Sequence, residues 1–228
     1  ILNNLYIGNF NLYQLIWYFF IYAFLGWISE VVFAALKTGK FVNRGFLNGP
    51  VCPIYGFGII IILLALDKVK DNLFVLFFAS FLLTSVLEFL TGFILEKFFH
   101  KKWWDYSKEI LNIKGYVCVR FSLIWAIACI FVINLVQPLI FNLVEILPEI
   151  LGAIILTLFI VVFVLDFSFT VYQILQFSKN SKTLEKLERQ LKKGSNKLGE
   201  SVAAITLKAQ EKWEKLNKKI KSSRLIKA

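Results

Sequence analysis

Three acidic side chains lie inside apolar runs where a charge is expensive: Glu30, Glu88 and Asp166. Each keeps polar company at helical spacing. Gly26 and Ser29 precede Glu30; Thr84, Ser85, Thr91 and Gly92 surround Glu88; Thr170 and Gln173 follow Asp166 at i+4 and i+7. Each acid therefore marks a polar stripe on one helix face. A charge near the bilayer centre costs a few kcal/mol even on the mildest scale, so such residues turn to a bundle interior. Arg44 and Arg120 are the two arginines of the apolar part and are the expected counter-ions. Three acids against two arginines leave surplus negative charge that a proton or cation can neutralise. Two readings follow: polar glue that ties helices together, or a substrate or ion pathway.

A second candidate is "NRGFLNGPVCPIYGFG", Asn43 to Gly58, which sets four glycines, two prolines and Arg44 between apolar runs. Backbone that cannot be helical is tolerated at membrane depth only where protein buries it or it lines a wet cavity. From Pro50 to Leu66 there are 17 residues, about 25 Å of helix, which barely crosses a hydrocarbon core. The stretch is expected to form a partly re-entrant start to a second span, with Pro50 or Pro53 at a helix N-terminus. Gly45, Gly49, Gly56 and Gly58 would allow close approach or positive φ. A rigid turn is the alternative. Asn48 and Tyr55 within it, and Asp105 further on, join Glu30, Arg44, Glu88, Arg120 and Asp166 as candidate binding or pathway residues. No catalytic set and no metal set is assigned.

The elements that must position these residues are membrane helices. The chain of 228 residues is 58% hydrophobic and 18% charged, far more apolar than one soluble core of this size needs. Apolar windows run from Leu12 to Leu36, Leu73 to Phe98, Tyr116 to Phe141 and Ile150 to Phe177, each near or above the roughly 20 residues of a span. With the shorter Pro50 to Leu66 window, an all-α integral membrane protein of about five transmembrane helices is expected. The first window carries Glu30 and has no basic residue before it, unlike a secretory signal. The sequence starts with Ile and has no Met, so the native N-terminus is expected upstream.

Orientation follows from loop basicity. Lys37, Lys40 and Arg44 follow span 1, and Lys97, Lys101, Lys102, Lys108 and Lys114 follow span 3. Those loops are expected in the cytoplasm, placing the N-terminus outside and the C-terminus inside. Residues 1–177 then form the membrane domain and 178–228 a cytoplasmic tail. From Gln176 to Ala228 there are 13 Lys, 2 Arg and 5 Glu, a net +10 of the chain's +11.

In the tail, Leu184, Leu187 and Leu191, then Leu198, Val202, Ile205, Ala209, Leu216 and Ile220 recur at helical spacing. Glu185 with Arg189, Glu188 with Lys192, Glu211 with Lys215 and Glu214 with Lys218 are i, i+4 pairs. Gly194 and Gly199 are expected to break the helix in two. Such a tail is either a solvated helix or weak coiled coil, or a basic amphipathic helix on anionic lipid headgroups. Charges interleaved with Glu and no recognition motif argue against nucleic acid. Cys52, Cys118 and Cys129 lack disulfide or zinc spacing, and the lone His100 is read as an interfacial residue.

The runs "FLGWISEVVF", "NRGFLNGPVCPIYGFG" and "WWDYSKEILNIKGYVCVRFSLIW" (Trp103 to Trp125) resemble, in order, the bacterial family of type IV, CmpB-like ABC transporter permeases. The resemblance covers about Leu12 to Trp125. It implies a multi-pass membrane subunit and marks Gly26, Trp27, Glu30, Asn43, Arg44, Gly45, Gly49, Pro50, Pro53, Tyr55, Gly56, Glu88, Trp104, Asp105, Tyr106, Asn112 and Gly115. From the residues themselves, Trp103, Trp104 and Tyr106 are expected as headgroup-level anchors, with Asp105 pairing with Arg44 or Arg120. The chain has no GxxxxGK[ST] loop, so a permease would need a separate ATPase subunit, and five spans would suggest at least a homodimer. A non-transporting scaffold or regulator, an ion-coupled small carrier and a membrane enzyme using Glu30, Glu88 and Asp105 remain open. No cofactor is expected.

Overall fold

A computed structural model describes residues 5–43, 45–100, 102–174 and 182–225; for 173–174, 182–191, 219 and 221–225 only the backbone is described. The elements run β1 (Tyr6–Ile7), β2 (Phe10–Asn11), α1 (Leu12–Thr38), α2 (Pro53–Leu66), α3 (Leu73–Phe99), β3 (Asn112–Ile113), β4 (Val117–Cys118), α4 (Val119–Phe131), α5 (Gln137–Ile146), α6 (Glu149–Ile174) and α7 (Lys182–Leu225). The two strand pairs are antiparallel hairpins of two residues a side, so the fold is all-α in substance.

Among the described residues, four helices are long and apolar enough to cross a membrane: Leu12–Thr38, Leu73–Phe99, Val119–Ile146 and Glu149–Tyr172. The expected second span is α2, whose 14 residues rise only about 21 Å. Pro53 opens it, as a residue with no N–H to lose.

Local chemistry sets the helix ends. At the start of α1 the Asn11 side-chain oxygen accepts from the Gln14 N–H (2.7 Å) and the Gln14 oxygen accepts from the Asn11 N–H (3.1 Å), a reciprocal box that satisfies two donors. Asn72 caps α3 by accepting from the N–H groups of Phe74 and Val75, each at 3.1 Å. His100, expected only as an interfacial residue, ends α3 in the left-handed region (φ 52°), with its N–H on the Glu96 carbonyl.

The third long helix is continuous from Val119 to Ile146 but carries a π-turn at Val132–Val136. Pro138 explains it. Its ring cannot donate and would strike the carbonyl four residues back, and Gln137 N–H instead reaches Val132 O, five residues back. The buried Gln137 side chain accepts from the Tyr22 hydroxyl at 2.8 Å.

The chain divides into two compact units, residues 1–23 with 53–177 and residues 24–52 with 178–228. In the first, an aromatic turn of α1 (Trp17, Tyr18, Phe19, Phe20) joins Ile59, Ile62 and Leu63 of α2 and Leu156 of α6 in one core. Phe19 and Phe163 meet edge to face at 5.3 Å, an arrangement favoured by the ring quadrupoles.

In the second unit Trp27 is fully buried and donates its indole N–H to the Asn43 side-chain oxygen (3.1 Å), which also accepts from the Gly45 N–H. The tail corrects the sequence expectation. Gly194 and Gly199 do not divide it; one helix runs from Lys182 to Leu225. Gly199 has a packing reason to be glycine, because a Cβ there would collide with the edge of the Phe41 ring. Ser195, one turn earlier, donates to the Asn48 carbonyl at 2.7 Å. Ser195, Gly199 and Ala203 thus form a buried seam, with Asn48 against Ser195 and Phe41 against Gly199.

Candidate functional site

Glu88 lies near the middle of α3 and is 9% exposed. Its Oε1 accepts from the Tyr106 hydroxyl at 2.9 Å and from the Trp125 indole N–H at 3.4 Å. Both donors are neutral, and Oε2 accepts no hydrogen bond from the described residues. Tyr55 of α2 meets the Trp125 ring edge to face at 5.7 Å, and Tyr106 stacks on Phe121 of α4 at 4.6 Å. The α3–α4 loop and α4 therefore meet the α3 carboxylate directly, and α2 packs its Tyr55 against Trp125 behind it.

Tyr106 reaches Glu88 because the loop between α3 and α4 folds back as a braced hairpin. Its own N–H donates to the Gly115 carbonyl (2.8 Å), Glu109 N–H donates to the Tyr106 carbonyl, and Asn112 bridges the Glu109 carbonyl and the Gly115 N–H. Gly115 sits at φ +74°, and a Cβ there would collide with the Asp105 carboxylate and the Ser107 hydroxyl, so only glycine fits. Trp104 closes the base by donating to the Tyr116 carbonyl at 2.8 Å, both rings lying over Gly92 of α3. Of the three expected headgroup anchors, Trp104 and Tyr106 are thus half-buried and hydrogen-bonded within the protein; Trp103 packs on Phe99.

Asp105 is exposed and accepts from the Ser107 N–H (3.0 Å) and the Ser107 hydroxyl. These donors hold its carboxyl below the ordinary aspartate range. A carboxyl depressed in the fold contributes stability above its unfolded value and loses it as pH falls through the folded one. Protection of the Ser107 amide from exchange, taken relative to its intrinsic rate at each pH, is expected to drop on acidification below the ordinary carboxylate range. Asp105→Asn should lack that step; an unchanged pH profile in this variant would assign the loosening to another group.

The other predicted residues are placed as follows. Arg120 is not beside a buried acid: its side chain is 69% exposed and pairs with Glu109 at 3.4 Å, as the first turn of α4 lies next to the hairpin. The expected Asp105–Arg120 pair is replaced by Asp105–Ser107 and Arg120–Glu109. Asp166 is 2% exposed and accepts from Thr170 at 3.4 Å, as its i+4 spacing implied. Glu30 is half-buried in the C-terminal half of α1, and Asn48 belongs to the buried seam with Ser195. Arg44 and the side chains of Gln173, Glu185, Glu188 and Arg189, and with them the pairs Glu185–Arg189 and Glu188–Lys192, lie outside what the structure describes. The structure adds Trp125 and Phe121. Their i, i+4 spacing near the start of α4, in the helix that follows the Trp-Asp-Tyr loop, was the available signal.

Searches of curated proteins and of solved structures return no match. The family described as "Putative ABC-transporter type IV" matches residues 17–171, a longer stretch than the three motif blocks and one that stops before the basic tail. It takes in Glu88, its hairpin, Trp125 and all or most of every long apolar helix. The chain is a membrane protein and belongs to this family of ABC transporter components.

Proposed function

We propose that the chain is the multi-pass permease subunit of a bacterial cell-membrane transporter, with a cation or proton path that passes Glu88. The observation that carries this is the carboxylate itself: buried at mid-helix, held by two neutral donors, with a second oxygen accepting nothing from the described residues. An intramembrane acid that meets no fixed cation among the described residues is retained at a cost that a pathway explains and mere packing does not. Asp166 and Glu30 extend the same acidic character. Family membership supports a separate ATPase subunit as the energy source. The basic loops favour an outside N-terminus and a cytoplasmic C-terminus, with α2 as a fifth, partly re-entrant element and 178–228 as the cytoplasmic tail. A path enclosed by so few helices favours at least a homodimer.

The test is purification of the tagged chain from native membranes with its partners, followed by ATPase assay of the reconstituted complex. A phosphate-loop ATPase should co-elute. Glu88→Gln keeps an acceptor oxygen for Tyr106 and Trp125 but removes the charge. It is expected to lower turnover by about tenfold or more, since one hydrogen bond to a charged group is worth about 1.5–3 kcal/mol. Unchanged turnover would make Glu88 structural, and a homo-oligomer without any ATPase would favour the scaffold or ion-coupled carrier instead.

A further inference from the structure

The face of α7 that packs and the face that is apolar are not the same face. Ser195, Gly199 and Ala203 recur every four residues and form the buried seam. Leu198, Ile205, Ala209, Trp213, Leu216 and Ile220 recur at intervals of 7, 4, 4, 3 and 4 and are all exposed. At 3.6 residues per turn this second stripe is rotated roughly 80° from the seam. It continues for about 33 Å, past the point where the seam ends. Trp213 at 62% and Ile205 at 68% exposure are large costs to leave in water.

The charges are sorted around that stripe. Lys197, Lys208, Lys212 and Lys215 are exposed and line the flank away from the seam. Glu200, Glu211 and Glu214, the acids of this stretch, fall on the side opposite the apolar stripe. A coiled-coil seam would carry mixed charges on both borders to pair with a second helix. Here one border is all lysine, and a second copy would bring lysine toward lysine. An apolar stripe with a tryptophan and a lysine border, in a protein already in a bilayer, fits a surface of negative headgroups.

We infer that residues 198–220 of α7 form a membrane-surface helix that lies on anionic lipid, with its seam face held by Phe41 and Asn48 and its apolar stripe in the headgroup region. The assignment is independent of the transport reading. It makes unit 2 a reporter of leaflet charge, since the same rigid helix that contacts lipid also holds the Asn48 carbonyl and Phe41.

The test uses the full chain in nanodiscs of phosphatidylcholine alone or with phosphatidylglycerol. A nitroxide is attached at Ile205→Cys or, separately, at Glu214→Cys; the three native cysteines are buried, and the wild-type chain carried through labelling sets the background. Accessibility to oxygen and to an aqueous nickel chelate is then measured. With phosphatidylglycerol, the label at 205 should become oxygen-accessible and chelate-protected while that at 214 stays open to the chelate. Each Lys→Gln change at 197, 208 or 212 should lower the bound-to-free ratio about fivefold, and salt should do the same. A label at 205 equally open to the chelate in both lipids overturns the inference. So does one protected equally in both, which would indicate a second copy or a protein partner covering the stripe.

Discussion

Gly56→Val is expected to cost about 3 kcal/mol and lower the unfolding midpoint in detergent, with Gly58→Ala, two residues away, leaving it unchanged or slightly raised. A Cβ at Gly56 would sit 2.6 Å from the Phe19 ring and 2.7 Å from the Phe19 carbonyl oxygen. The ring can turn away. The carbonyl is fixed in the α1 backbone, so the two helices must separate. At Gly58 a Cβ meets nothing within 4 Å and only gains helix propensity. The separation would also reach the site, because α2 carries Tyr55 against Trp125. Thermal melts of both variants by far-ultraviolet circular dichroism decide the matter: equal midpoints would show that α1 and α2 are not held at this distance in solution.

The same two glycines show what the sequence could and could not say. Both stand in a run whose composition alone implied close packing or unusual φ, yet only what stands opposite decides: Phe19, 37 residues away, for Gly56, and nothing within 4 Å for Gly58. Spans were legible because a long apolar window has one solution in lipid. The 14-residue α2 was legible as short for the same reason. Gly194 and Gly199 misled in the opposite direction: a glycine costs about 1 kcal/mol in a helix interior, and the local rule reads it as a break. The Phe41 ring seated on Gly199 outweighs that local cost.

Charge pairing was the least legible level. Glu88, Arg120 and Asp105 were matched by sign, as counter-ions must be if all are buried. Arg120 and Asp105 are exposed, so neither needed a buried partner, and each took the nearest polar group of the hairpin. Glu88 is the buried one, and its partners are neutral aromatics. The residues Trp104, Asp105, Tyr106, Asn112 and Gly115 were visible as a motif. Their joint purpose, a hairpin that delivers one phenol to one carboxylate, depends on backbone bonds such as Tyr106 N–H to Gly115 carbonyl that no spacing rule reveals.

That purpose sets the second large effect. Glu88→Leu removes the acceptor and leaves the Tyr106 hydroxyl and Trp125 N–H half-buried without it, at about 1–3 kcal/mol for each orphaned donor. Glu88→Gln keeps the carbonyl oxygen and should cost far less. Tyr106→Phe alone should cost about 1 kcal/mol, and in the Glu88→Leu background it should cost nothing or regain stability, because it removes a donor that has already lost its acceptor. The double-mutant cycle, read from chemical unfolding in one detergent, should therefore give a coupling of about 0.5–3 kcal/mol. Additive losses would mean that the hairpin does not rest on Glu88. If the coupling is found and Glu88→Gln is as stable as the parent, holding the hairpin requires only an oxygen at position 88. The charge is then surplus to the fold, and a loss of turnover in that stable variant must be assigned to what the charge does for a passing cation or proton.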